Sequence, residues 1–269
     1  MLFADQLVVI RGGGDLATGV AYRLHQAGFP LIVLELERPF VVRRQVALAT
    51  AVLQNQIAVE SLHAKLVSTP EEALQLASTN TIPVLIAPNL SALISSVSPT
   101  ILIDARMTKR NLDTTRDQAP LVIALGPGFT AGEDCHAVIE TMRGHTLGRV
   151  IWQGTAVPNT STPGLIAGKG AERVLRAPVA GEVNWQLAIG DFVQQGDVIG
   201  DVAGESVVAP FTGVLRGLIT PGTAVSANLK IGDLDPRADA AACFTISDKA
   251  LAIGGGVLEA ILTHLNRQK

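Results

Sequence analysis

Apolar residues in the first half of the chain fall in short unbroken runs: "LVVI" (7–10), "LIVLEL" (31–36), "PVLIAP" (83–88), "TILIDA" (100–105) and "PLVIAL" (120–125). Continuous runs of this length, without polar alternation, predict strands buried on both faces, as in a parallel sheet. Between them, "DLATGVAYRLHQAG" and "TPEEALQLAS" have the spacing of amphipathic helices. In the second, Thr69 stands as an N-cap, Pro70 suits the first turn, and Glu71 and Glu72 suit the positive end of the dipole. The alternation predicts an α/β fold with a Rossmann-like parallel-sheet domain over residues 1–152.

The pattern changes at residues 153–172, "QGTAVPNTSTPGLIAGKGAE", where Gly, Pro, Ser, Thr and Asn predict a linker. Beyond it, "APVAGEVNWQLAIGDFVQQGDVIGD" (177–201) recurs as "APFTGVLRGLITPGTAVSANLKIGD" (209–233), with eight identities in register over 25 positions. Short apolar pieces set off by glycines are strand-and-turn chemistry, and two copies of one β unit predict a small quasi-symmetric barrel or sandwich. This portion, residues 173–236, resembles the all-β barrel-sandwich hybrid of lipoyl and biotinyl domains. Those domains present a modifiable lysine on the turn between halves. The matching turn here, "VAGESV" (202–207), offers no amine, so no prosthetic group can be attached there. Residues 237–269 end in "CFTISDKALAIGGGVLEAILTHLN", a helical segment capped by Ser247 and expected to pack back on the first domain. Each glycine of Gly254–Gly256 costs about 1 kcal/mol against alanine in a helix interior, so the run predicts a break or a close approach by another backbone or a ligand.

Composition narrows the classes. At 48% hydrophobic, 17% charged and 4% aromatic, the 269-residue chain can build a core mostly of aliphatic residues. A net charge of -3 with scattered cations leaves no footprint for nucleic acid or an anionic membrane. The N-terminus has no basic n-region, and the apolar stretch 82–105 is broken by Pro83, Pro88, Asn89 and Pro99, so neither a signal peptide nor a membrane span is expected. Two cysteines, Cys135 and Cys243, are too few for a disulfide framework. The expected setting is cytoplasmic.

The candidate chemistry begins at the first turn. Gly12-Gly13-Gly14-Asp15-Leu16-Ala17 fits G-x-G-x-x-G/A between a predicted strand and helix, and Glu35 stands where a ribose-binding acid belongs. Small residues there would let phosphate oxygens reach helix N-terminal amides. Asp15 opposes this by placing a carboxylate beside the phosphates, unless Arg11 offsets it; a plain helix cap is the alternative. A second candidate crevice joins Asp104 at a strand end, Lys109 and Arg110, and the glycine-rich turn holding Gly126 and Gly128. In "DCHAVIETMRGHTLG" (134–148), a helix would set His136 and Glu140 one turn apart, with Cys135 near its start and His145 beyond. No further cluster completes a metal site, so no metal is expected. Asp104, Lys109, Cys135 and His136 are the catalytic candidates. Gly12, Gly13, Gly14, Asp15, Leu16, Glu35, Arg110, Gly126 and Gly128 are the cofactor-binding ones.

"VVIRGGGDLATGVAYRLHQAGFP", "DARMTKRN", the 125–152 segment, "NTSTPG", "KIGDLDPR" and "ISDKALAIGGGVLEAIL" together resemble the YqeB family, accessory proteins of selenium-dependent molybdenum hydroxylases. In its nucleotide-binding half the chain is also similar to xanthine dehydrogenase accessory proteins. The resemblance implies a protein that serves maturation of a molybdenum hydroxylase by supplying selenium or sulfur to the molybdenum centre. With the candidate residues above, the leading expectation is an accessory protein that binds a nucleotide-like or anionic cofactor, NAD(P) or a molybdopterin dinucleotide, in a Rossmann-like crevice. Its partners would be a molybdenum hydroxylase or its maturation proteins, with homo-oligomers as a further expectation. An NAD(P)-dependent oxidoreductase and a non-catalytic scaffold between a hydroxylase and a sulfur or selenium donor are the alternatives.

Overall fold

The computed structural model describes residues 1–87, 90–159 and 164–268. Pro88, Asn89 and the 160–163 part of the predicted linker and of the "NTSTPG" string lie outside the described residues. The chain divides into two units, Met1–Pro39 with Ala47–Asn159 and Ile246–Lys269, and Phe40–Val46 with Thr160–Thr245.

The first unit carries strands β1 (Val8–Arg11), β2 (Leu31–Glu35), β3 (Gln56–Val59), β4 (Leu62–Val67), β5 (Thr81–Ile86), β6 (Ile101–Asp104), β7 (Leu121–Leu125), β8 (Thr130–Ala131), β9 (Ala137–Ile139), β10 (Val150–Ile151) and β11 (Gly154–Thr155). Its helices are α1 (Asp15–Gln26), α2 (Ala51–Gln54), α3 (Pro70–Ala77), α4 (Leu90–Val97) and α5 (Asp248–Arg267). Nine strands form one sheet in the order β10-β9-β7-β6-β1-β2-β5-β4-β3. The five apolar runs form β1, β2, β5, β6 and β7, which pair in parallel, with Ile10 between Val33 and Ile103. Ile10, Leu31, Ile103 and Val122 are all but inaccessible, as strands covered on both faces require. The expected purely parallel sheet is corrected: β3 runs antiparallel to β4 and β10 antiparallel to β9, so the sheet is mixed, with an antiparallel strand at each edge. Residues 154–155, expected within a linker, pair as β11 with β8.

Local chemistry sets the helix ends. Thr69 caps α3 by accepting the Glu72 N–H at 3.2 Å, with Pro70 in the first turn. Ser247 caps α5 by accepting the Ala250 N–H at 3.2 Å. The three glycines do not break α5; Gly254 brings it against α1, Gly256 meets the Gly148 carbonyl, and Gly255 faces open space. A Cβ at Gly254 would run into the Gly19 carbonyl, and one at Gly19 into the Ala250 carbonyl. Residues 241–267 hold a helix long and apolar enough, by length and composition, to cross a membrane. Within the first unit, Ala250, Ile253, Val257, Ala260 and Ile261 of α5 are buried. The helix expected around His136 and Glu140 is absent. Those residues flank β9, whose Ala137-Val138-Ile139 pairs with β7, because in the sheet Val138 and Ile139 are fully buried.

The second unit contains β12 (Val174–Arg176), β13 (Gly181–Trp185), β14 (Phe192–Val193), β15 (Val198–Val202), β16 (Glu205–Val208), β17 (Gly213–Leu218), β18 (Ala224–Val225) and β19 (Lys230–Asp235). The repeat is visible strand for strand: β13, β14 and β15 begin 32 residues before β17, β18 and β19. The copies also exchange strands. Gly181 pairs with Val225 across β13 and β18, and the equivalent Gly213 pairs with Val193 across β17 and β14. The strands stay in two separate four-stranded antiparallel sheets, β12-β19-β17-β14 and β16-β15-β13-β18, around Val183, Ile199, Leu215 and Ile231. Ala203 and Gly204, both at positive φ, make the two-residue turn from β15 to β16. Segment Phe40–Val46, expected inside the first domain, belongs to this unit. Arg44 Nε donates to the Leu218 carbonyl at 2.9 Å, and the Val42 backbone lies where Gly217 has no side chain.

Candidate functional site

Strands β1, β2, β6 and β7 point their C-terminal ends toward one edge of the sheet, where ligands sit in open α/β folds. Gly12, Gly13 and Gly14 turn the chain from β1 into α1 there, with Asp15 and Leu16 half-buried in the first turn. The protein fills this turn with its own atoms. Glu35 Oε1 accepts the Gly13 N–H at 2.7 Å, and its Oε2 accepts the Leu36 N–H at 2.7 Å. Both carboxylate oxygens are therefore engaged by the protein's own amides. Burial raises the Glu35 pKa, and the two amide bonds oppose that rise.

Residues 47–50 lie over the same turn. Ala49 donates to the Gly13 carbonyl at 2.9 Å, and Leu48 donates to Thr18 Oγ1 at 3.1 Å. A pyrophosphate on this turn would have to displace both Glu35 and this buried segment. The residues present do not fit the expected dinucleotide.

The crevice between β1 and β6 is bridged as well. Asp104 is fully buried and accepts from Arg106 Nη2 at 2.6 Å and from Thr114 Oγ1 at 2.6 Å. Arg11 spans to Asp113 at 2.8 Å and to Thr114 at 3.1 Å, and Arg106 reaches Asp113 at 2.7 Å. The Arg11 hydrogen bond, helped by Arg106 and opposed by burial, holds the Asp113 carboxyl below its ordinary range. Asp104 and Arg11 thus form an internal charge network. Gly126 and Gly128 lie on the neighbouring turn after β7, Gly128 against the Arg110 backbone. Lys109 and Arg110 are exposed.

The structure sends the thiol and imidazole candidates elsewhere. Cys135 is fully buried, its Sγ 3.3 Å from the Ala137 carbonyl, and burial together with Asp134 pushes its pKa to about 12. Such a thiol stays protonated and unreactive. His136 sits by the N-terminal end of β7, where its Nδ1 accepts the Val122 N–H at 2.9 Å. Burial, then Arg116 and His264, lower its pKa. Glu140 is buried and accepts from the Met142 and Val157 amides, and His145 is exposed in the following loop. Among the described residues, no group of three His, Cys, Asp or Glu side chains could hold a metal ion.

A residue that the sequence reading passed over stands at this edge. Lys249, in the first turn of α5, is half-buried, and among the described residues it makes no hydrogen bond or ion pair within 4 Å. Burial and Arg143 lower its pKa against the pull of Asp15, Glu140 and Asp248. These neighbours come from α1, the loop after β9 and α5 itself, and Arg143 pairs with Asp248 at 2.8 Å. The sequence held one signal. A lysine in the first turn of a helix meets the positive end of the dipole.

No protein-family model matches the chain. Over 262 residues it is 51% identical to the protein titled uncharacterized protein YqeB from Escherichia coli K12, spanning 97% of this chain and 48% of that protein. The chain therefore spans about half the length of this curated relative, and the resemblance to YqeB extends across nearly all of it. Among solved structures, an aspartoacylase family protein from Mesorhizobium loti is 10% identical at a TM-score of 0.27, covering 85% of this chain and 84% of that one. A succinylglutamate desuccinylase/aspartoacylase from Rhodobacter sphaeroides is 14% identical at 0.25, covering 84% and 86%. A succinylglutamate desuccinylase from Silicibacter sp. TM1040 is 13% identical at 0.25, covering 86% and 85%.

At such scores these structures transfer no activity. The expected pairing of a Rossmann-like domain with a barrel-sandwich hybrid is corrected to what the strands show, a mixed nine-stranded sheet and two antiparallel four-stranded sheets. The expected maturation role, with its nucleotide or anionic cofactor in a Rossmann-like crevice, is corrected too, as are the oxidoreductase and scaffold alternatives. The filled Gly12–Gly14 turn and the bridged β1–β6 ends supply the physical reason for the cofactor and oxidoreductase readings.

Proposed function

We propose that the chain belongs to the YqeB family and that it binds a small polar molecule at the C-terminal edge of the nine-stranded sheet through the Lys249 amine. The observation that carries this reading is a half-buried ammonium with no hydrogen bond among the described residues, set among Asp15, Glu140, Asp248 and Arg143. A charge taken out of water and left unpaired costs stability, and groups kept at such a cost cluster at working sites. The partly desolvated amine can donate a hydrogen bond to a ligand oxygen, and its lowered pKa suits it to pass a proton. The site is centred on the start of α5, not on the glycine turn.

Limited acylation of the full chain with acetic anhydride at neutral pH, mapped by mass spectrometry, tests this reading. A lowered pKa raises the fraction of free amine, so Lys249 should acetylate ahead of the exposed Lys65, Lys109 and Lys230. Labelling of those three with Lys249 untouched would remove the amine from any role at the surface of the site.

A further inference from the structure

We propose that Arg216 is the centre of an oxyanion-binding site in the second unit. The two repeat copies differ in strand register at one place. In the first repeat copy, β13 pairs with β15 in regular register, Asn184 opposite Asp201 and Trp185 opposite Gly200. The equivalent pairing of β17 with β19 carries a bulge between Leu215, opposite Leu234, and Gly217, opposite Asp233. Arg216 is the residue between them. A bulge re-aims the side chain at its centre. Asn184, which the repeat aligns with Arg216, is a short exposed amide, whereas the Arg216 side chain is only 8% exposed.

The buried guanidinium lacks partners to match. Its Nε is shut off from solvent and has no hydrogen bond among the described residues. Its ion-pair contact is Nη1 to Asp235 Oδ2 at 3.7 Å. Asp235 is already taken: Arg237 donates to it from Nε at 3.0 Å, from Nη2 at 2.7 Å and from its backbone N–H at 3.0 Å. Arg43 adds a further cation, anchored by donation to the Ala242 carbonyl at 3.1 Å, and Arg43 and Arg216 both act on the Cys243 thiol. Arg216, Arg237 and Arg43 thus bring guanidinium groups to the same corner as Asp235 and Asp239. Arginine cannot relieve its burial by losing a proton. A planar fork with open donors is the geometry that carboxylate and phosphate oxygens satisfy in pairs.

The test follows the thermal midpoint of the full chain in sodium phosphate and in sodium acetate, each against sodium chloride at equal ionic strength. One or both oxyanions should raise the midpoint of the unmodified protein. A response to acetate alone assigns a carboxylate ligand, and one to phosphate alone a phosphate ligand. The rise should vanish in Arg216→Met and persist in Lys249→Met, which separates this site from the one proposed above. Because Arg216→Met can fail to fold, the Arg Nε–H signals of the unmodified protein, assigned through Arg216→Lys, give a second readout. The Arg216 signal should shift during the same titrations. No rise and no shift with either oxyanion, or an equal rise in the Arg216 variants, would overturn the proposal.

Discussion

Glu35 accepts the amide of Gly13 at 2.7 Å, so a carboxylate of the protein occupies the turn where a cofactor phosphate was expected. The second oxygen holds the Leu36 amide, and together the two bonds fix the C-terminal end of β2 to that of β1. Glu35→Gln keeps one acceptor and turns an NH2 group toward the other amide. The loss is expected to be about 1–3 kcal/mol, the cost of a partly buried donor left unmet. Urea unfolding measures it, and an unchanged midpoint would show that the two bonds contribute nothing.

Legibility in the sequence followed the range of the interaction. Residues whose fate is decided by neighbours in sequence were readable: the five apolar runs, the Thr69 and Ser247 caps and the strand pieces of the 32-residue repeat. The glycines of α5 gave the close approach but not its partner, Gly19. What failed depended on distant residues. Nothing near Gly13 announces that Ala49 will lie across it, and nothing in "RPFVVRR" announces that it will pack on β17. The four-residue spacing of His136 and Glu140 suits a helix turn. The short Ala137–Ile139 run between them suits a sheet equally, and pairing with β7 decided it. Lys249 was missed because its meaning lies in Asp15 and Arg143, far away in the chain.

Lys249 should cost the protein stability. Its folded pKa is lowered, so the native state releases that proton more readily than the unfolded chain does. The penalty is complete below the folded pKa and fades as pH rises toward the unfolded value. Lys249→Met should therefore raise the thermal midpoint at neutral pH, with a gain that shrinks in alkaline buffer. A lower midpoint would make Lys249 a structural residue and count against its role at the site.

Asp235 acts in the opposite direction. Burial would raise its carboxyl, but the Arg237 hydrogen bonds and the charges of Arg237 and Arg216 outweigh it and bring the pKa down to about 2. A depressed carboxylate contributes stability above its unfolded pKa and loses it as pH falls through the folded one. The contribution, on the order of 2 kcal/mol, should disappear between roughly pH 4 and pH 2. Asp235→Asn should lower stability at neutral pH and flatten the acid limb of the stability profile in that window. A parallel limb in the variant would show that the pair does not carry the effect.

Gly254 sets helix propensity against packing. Alanine in a helix interior gains about 1 kcal/mol over glycine. At Gly254, however, the new methyl would meet the Gly19 carbonyl and the Arg23 side chain, and Gly19 cannot yield without moving α1. Overpacking of this kind costs about 1–3 kcal/mol, so Gly254→Ala should destabilise the protein on balance. Gly255 has open space at the same depth of the helix, and Gly255→Ala should show the propensity gain alone. Chemical unfolding of both variants separates the two effects. If they shifted the midpoint in the same direction by the same amount, α5 would not be pressed against α1 through its glycines.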